Sequence, residues 1–111
     1  MTIAELEVRM RTWLQTDYKA VRFFSSELPI GYALFRSSPD ELYLRQLFIA
    51  QDQRRRGFGR ECFQILRREI WPNDVRLTVE VLSRNTPAVD FWRAVGYIDY
   101  SITLEIMPGA K

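Results

Sequence analysis

Over the first fourteen residues Ile3, Leu6, Met10, Trp13 and Leu14 recur at helical spacing, with Glu5, Glu7, Arg9 and Arg11 around the rest of the circumference. This pattern predicts an amphipathic opening helix. Two strand-like runs follow, 19–25 and 30–35, joined by Glu27-Leu28-Pro29 at a spacing that suits a hairpin. Ser37, Ser38, Pro39 and Asp40 mark a turn. Residues 42–50 are rich in large apolar side chains and lead into the polar, glycine-containing stretch 51–59, after which Phe63, Leu66 and Ile70 repeat at helical spacing. Pro72 ends that helix, and Val75, Thr78, Val79 and Val81 give 75–82 the β-branched content of a buried strand. Thr86-Pro87 opens a second helix, with Ala88, Phe91, Trp92 and Val95 on one face and Gly96 as its left-handed stop. Over 97–107, Ile98, Tyr100, Ile102, Leu104 and Ile106 alternate with polar neighbours, as a half-buried final strand should. The expected order is α-β-β-β-α-β-α-β, one α/β (α+β) domain over 1–111 with no repeat and no low-complexity linker.

Composition narrows the chemistry. With 111 residues, 47% hydrophobic and 27% charged, the chain has the make-up of a single soluble globular domain and not of a disordered segment. The single cysteine, Cys62, cannot close an internal disulfide, and there is no histidine. That removes the commonest general base and metal ligand, along with every Ser-His or Cys-His nucleophile. No metal is expected, and proton transfer falls to carboxylates, tyrosines, lysines or water. Residues 1–10 carry two glutamates and no long apolar run, which argues against a signal peptide or a membrane span; a reducing cytoplasm is the expected location. A net charge of +2 is too small to argue for nucleic acid, yet Arg54, Arg55, Arg56, Arg60, Arg67 and Arg68 cluster, which suggests a local anion site.

The cluster includes a glycine loop that opens a helix. Such a loop offers unpaired amides and the positive end of the helix dipole to a phosphate, with Gly57 and Gly59 letting the backbone come close. Arg54-x-x-Gly57-x-Gly59, between a strand and a helix, resembles the pyrophosphate loop of the GNAT N-acetyltransferase superfamily. Val81, Asn85, Ala88, Phe91-Trp92 and Gly96-Tyr97 resemble that family's second signature. Together these cover roughly residues 42–107. The resemblance implies a mixed, mostly antiparallel sheet with a central splayed parallel strand pair flanked by helices, in a short member without the usual first strand and helix. It also implies acetyl-CoA as co-substrate, held by Arg54, Arg55, Arg56, Gly57, Phe58, Gly59 and Arg60, by Leu47, Phe48 and Ile49 on the strand before the loop, and by Asn85, Phe91 and Trp92. Asn85 also reads as a helix cap, and both roles can coexist. Arg56-Gly57-Phe58-Gly59 begins like an RNA-recognition signature, but Arg60 and Glu61 break it where an aromatic and an aliphatic residue are needed.

Acetyl transfer to an amine needs a base, an oxyanion donor and a proton for the leaving thiolate. The resemblance implies Glu80 as base, with an exposed strand glutamate as the alternative. It also implies a backbone amide around 47–49, where the family's strand bulges, as oxyanion donor. The family's thiolate-protonating tyrosine is replaced by Trp92, which leaves Tyr97 and Tyr100, or water, as the acid. Tyr43 is a further strand position that can face the cleft, and Cys62 reads as packing. The acceptor is an amine on a small molecule or a peptide or protein, with no nucleic-acid or membrane partner. The acceptor cleft is either wide or completed by a second subunit, as in a homodimer. A non-catalytic CoA-binding module of the same fold is the alternative function.

Overall fold

The computed structural model describes residues 6–12 as backbone, and 17–51 and 57–109 with their side chains. Five strands form one sheet in the order β1-β2-β3-β4-β5: β1 (Leu6–Thr12), β2 (Tyr18–Ser25), β3 (Leu28–Ser37), β4 (Glu41–Ile49) and β5 (Arg76–Val79). The first four are antiparallel neighbours, while β5 returns parallel to β4. Among the described residues two helices accompany the sheet: α1 (Phe58–Ile65, continued by the π turn Leu66–Ile70) and α2 (Thr86–Ala94).

Two sequence expectations are corrected here. The opening element is a strand and not a helix, paired from Leu6↔Ser25 to Thr12↔Lys19, so an opening strand is present where the reading expected none. Leu6, Val8 and Met10 alternate with Glu7, Arg9 and Arg11 as strictly as a strand requires, and β2 supplies an edge for them to pair with. Ile3, Trp13 and Leu14, which carried the rest of the helical pattern, lie outside the described residues. The expected last strand, 97–107, runs as chain with no ladder partner among the described residues, and its alternating apolar side chains are exposed.

The β2–β3 hairpin turns at Ser26 and Glu27, with φ of 49° and 70°, the pair of positive values that a type I′ turn demands. The core fills one face of the sheet: Val21, Phe23, Ile30, Ala33, Phe35, Leu42 and Leu44 pack under Phe58, Cys62, Phe63, Leu66 and Trp71. Helix α1 forms because Phe58, Cys62, Phe63, Ile65 and Leu66 share a face that this sheet buries. It ends at Trp71, which takes the extended backbone (ψ 145°) imposed on a residue before proline. Trp71 then lies edge-on to Phe35 and Phe63, at 5.6 and 5.8 Å between centroids.

Candidate functional site

The sheet opens between β4 and β5. Their parallel pairing runs from Glu41↔Arg76 to Leu44↔Val79, after which β4 runs on to Ile49 still paired with β3 and the other chain leaves as 80–85. Glu41 locks the closed end, accepting hydrogen bonds from Thr78 Oγ1 (2.9 Å) and Arg76 Nη1 (3.3 Å). The strands part where the β3–β4 register slips: Phe35 faces Leu44 and Leu34 faces Gln46, leaving Arg45 unmatched. A bulge of this kind bends its strand and adds twist, which turns β4 away from β5. It also shifts the alternation by one, so that Leu42 and Leu44 before it and Leu47 and Ile49 after it all pack toward the core. The strand bulges at Arg45, and not at 47–49 as expected. The sequence carries the signal in Leu42-x-Leu44-Arg45-Gln46-Leu47-x-Ile49, where two polar residues break a strict alternation.

Gly31 lies on β3, behind the strand that borders the slot. A Cβ there would run into the carbonyl oxygen of Phe48 and press on Ile49, so β3 and β4 approach this closely only with glycine. Sequence reading passed over Gly31 because a lone glycine in a strand has no periodicity to disturb.

At the mouth of the slot α1 begins. Gly57 is its N-cap, at φ 78° and ψ 5°, and no side chain among the described residues caps the helix, which leaves first-turn amides available to an anion. Added bulk at Gly57 would meet nothing within 4 Å, so the left-handed backbone and not space calls for glycine there. At Gly59 the missing Cβ faces Phe91 Cε1 at 3.4 Å and Ile49 Cγ1 at 3.8 Å, so it lets α1 settle between α2 and β4. Phe58 is buried in the core, and any part it takes in anion binding is through its amide; Arg60 is exposed. Arg54, Arg55 and Arg56 lie outside the described residues. Across the slot Asn85 caps α2, its Oδ1 accepting from the Ala88 amide at 3.4 Å, with proline in the first turn. Phe91 and Trp92 are half-buried on the inner face of α2, 4.9 Å apart between centroids. Leu47 and Ile49 are half-buried along β4, and Phe48 points to the other side of the sheet beside Tyr32.

The structure brings Glu80 together with Tyr43. Tyr43 pairs with Thr78 in the β4–β5 ladder, and Glu80, two residues on, is its diagonal neighbour on the same face. Desolvation, then the charge and hydrogen bond of the Glu80 carboxylate, push the Tyr43 hydroxyl above its ordinary pKa, so it stays a neutral donor. Arg36 lies 5.7 Å from the Tyr43 ring and 5.4 Å from that of Tyr18, over which Arg45 also sits at 5.7 Å. Glu80 thus stands at the rim of a shelf of tyrosines and arginines on the face away from α1.

Tyr97 and Tyr100 are not brought to this group. Tyr97 packs against Phe63 and Trp92 (5.7 and 5.5 Å) past the far end of α2 from Asn85, its hydroxyl buried without a hydrogen-bond partner among the described residues and its pKa pushed up to about 12 by burial. Tyr100 is exposed under the Arg76 guanidinium, 4.3 Å from it, at the closed end of the sheet opening. Cys62 is fully buried, and burial pushes its thiol up to about 12, as an inert packing residue requires.

Solved structures share this arrangement. An aminoglycoside N-acetyltransferase, AAC(6')-Iy, in complex with CoA superposes at a TM-score of 0.68 with 16% identity, over 87% of this chain and 71% of the other. An integron cassette protein from the mobile metagenome of V. cholerae gives 0.69 and 17% over 86% and 65%. An acetyltransferase from Thermus thermophilus gives 0.65 and 25% over 75% and 55%. The chain thus spans less than two thirds of the length of the last two. No curated protein matches the sequence. A family model described as an acetyltransferase (GNAT) domain matches residues 2–105. A parallel strand pair parted at a bulge, a glycine-opened helix at its mouth and a match over nearly the whole chain agree, and the chain belongs to the GNAT acetyltransferase family.

Proposed function

We propose that this chain is an N-acetyltransferase that moves an acetyl group from acetyl-CoA to a primary amine. The observation that carries the reading is the slot between β4 and β5, with the uncapped, Gly57-opened start of α1 at its mouth and the Tyr43–Glu80 pair beside it. The first-turn amides of α1, with Arg60 and the arginines at 54–56, fit a pyrophosphate. Leu47, Ile49 and Phe91 offer apolar walls for the arm that follows, and Asn85, at the start of α2, is the polar residue assigned to contact it. Acetyl-CoA supplies a thioester carbonyl when bound. A backbone amide of β4 beyond Arg45 is the oxyanion donor, and Glu80 takes the proton from the attacking amine while Tyr43 holds that carboxylate in place. With Trp92 in the helix and Tyr97 buried, water protonates the thiolate, whose parent pKa near 8.5 makes it a tolerable leaving group.

The acceptor approaches over Tyr18, Arg36, Tyr43 and Arg45. Aminoglycosides, the acceptors named for AAC(6')-Iy and for a soil metagenomic enzyme in complex with sisomicin, are polycations. Two guanidinium groups beside Glu80 suit instead an amine that carries a carboxylate nearby, as an amino acid or an acidic peptide does. Thiol release with a panel of such amines and aminoglycosides tests this: turnover with the anionic amines supports it, and turnover with aminoglycosides alone refutes the acceptor class. The second reading, CoA binding without transfer, is favoured by the absence of a tyrosine acid at Trp92. It predicts thermal stabilisation by acetyl-CoA with no thiol release from any amine.

A further inference from the structure

The core face of the sheet outruns the helix that covers it. Pro72 follows the end of the π turn at Ile70, while β2, β3 and β4 extend past that end to Lys19, Ser37 and Leu42. These residues are neighbours in the ladders, with Lys19 opposite Phe35 and Ser37 opposite Leu42. Together with Ile70, Trp71 and Pro72 they line a cavity of about 190 Å³. It lies at the other end of α1 from the Gly57 opening. The 8 residues of α1 and the 5 of its π turn, at roughly 1.5 Å each, put about 20 Å between the two.

The polar groups of this cavity are donors without acceptors. Lys19 is half-buried, and its ammonium has no ion pair among the described residues. Trp71 is 5% exposed, and its indole N–H is buried with no hydrogen-bond partner among the described residues. An indole and an ammonium can only donate, so neither satisfies the other. Ser37 adds an exposed hydroxyl at the rim. Among the described residues no lining side chain is acidic, and Phe35, Leu42, Ile70 and Pro72 supply apolar walls. Buried donors in folded proteins nearly always have an acceptor, so this set calls for one from outside the chain.

We propose that the cavity binds a small organic carboxylate, with its carboxylate on the Lys19 ammonium, the Ser37 hydroxyl and the Trp71 indole N–H, and its hydrocarbon body against Phe35, Leu42 and Ile70. Each water in the liquid takes about 30 Å³, so the cavity has the volume of about six waters, the bulk of an acid of about five carbons. The Lys19 charge repels an amine, so this is not a second acceptor site. A bare phosphate would leave the apolar walls unused. The inference rests on the cavity and its donors, and does not depend on acetyl transfer.

Isovalerate is the probe, with isovaleramide as its uncharged isostere and inorganic phosphate as the bare anion. Titrated into the isotope-labelled chain at constant pH and ionic strength, isovalerate should move the Trp71 indole N–H resonance along a saturable curve in the millimolar range. Loss of that resonance in Trp71→Phe identifies it. Isovaleramide and phosphate should bind about tenfold more weakly or worse, and so should isovalerate to Lys19→Met, because a charge-assisted hydrogen bond is lost in each case. Ser37→Trp, at the exposed rim, should block the cavity. Both variants should keep the cooperative unfolding transition of the native chain. A Trp71 resonance that isovalerate does not move overturns the proposal, whatever else fills the cavity. So does an equal response to isovaleramide or to phosphate, or undiminished binding in Lys19→Met. If a variant fails to fold, the acid and its amide on the native chain still decide.

Discussion

The half of the sheet built from β2, β3 and β4 differs from the half built from β5, α2 and residues 98–107 in how it treats its apolar residues. In the first, Val21, Phe23, Ile30, Leu42 and Leu44 vanish under α1. In the second, α2 buries nothing completely, Leu82 is 66% exposed, and five apolar residues of 98–107 stand in solvent. Hydrophobic patterning is as strong in one half as in the other. The difference shows that one half buries its own apolar face, while the other leaves much of its apolar surface uncovered among the described residues.

Catalysis should break most sharply on the open side. Glu80→Gln is expected to lower turnover by about 10²- to 10⁴-fold, equivalent to about 3–5 kcal/mol of barrier, with acetyl-CoA affinity nearly intact. Steady-state rates beside a binding isotherm check this, and unchanged turnover removes Glu80 from the mechanism. In the self-sufficient half, Phe63→Ala should cost about 3–5 kcal/mol in denaturant unfolding, since that ring meets Trp71, Trp92 and Tyr97 at once. A similar loss from Leu104→Ala would erase the contrast between the halves. Gly57→Ala should cost about 1–2 kcal/mol, because φ of 78° disfavours a Cβ even in open space, and it should weaken acetyl-CoA binding as the loop relaxes.

The smallest effect concerns pH. Cys62 and Tyr97 are both pushed up to about 12 in the folded chain, from 9.0 and 10.0. The folded state therefore holds these protons more tightly than the unfolded one. Their contribution is fully present below about pH 9 and is lost as the pH rises toward about 12. Unfolding midpoints across that window should fall less steeply in Cys62→Ala and Tyr97→Phe. A thiol reagent at pH 8 should leave native Cys62 unmodified and label it in denaturant, and fast native labelling would show the core to be looser than the packing of α1 implies.

Local patterns were legible where a residue's neighbours in sequence are also its neighbours in space. The β2–β3 hairpin, α1 from Phe63, Leu66 and Ile70, the stop before Pro72, the cap at Asn85 and the special backbone at Gly57 were all readable in this way. The parallel partnership of Tyr43 with Thr78, and through it with Glu80, was not, because it depends on a register set 35 residues apart in the chain. Tyr97 was misleading for a related reason: its position after Gly96 suits an acid in the site, but only packing shows Phe63 and Trp92 closing over it.

The sequence by itself determined the periods, the caps and the turn chemistry, since those are properties of a few consecutive residues and their φ and ψ. Tertiary structure decided the rest. Leu6 to Thr12 fits a helix or a strand by pattern, and the free edge of β2 made it a strand. Residues 97–107 read as a strand by the same rule, but no edge among the described residues meets them. A strand is stable only when another strand takes up its amides and carbonyls, and that partner is never written in the segment itself.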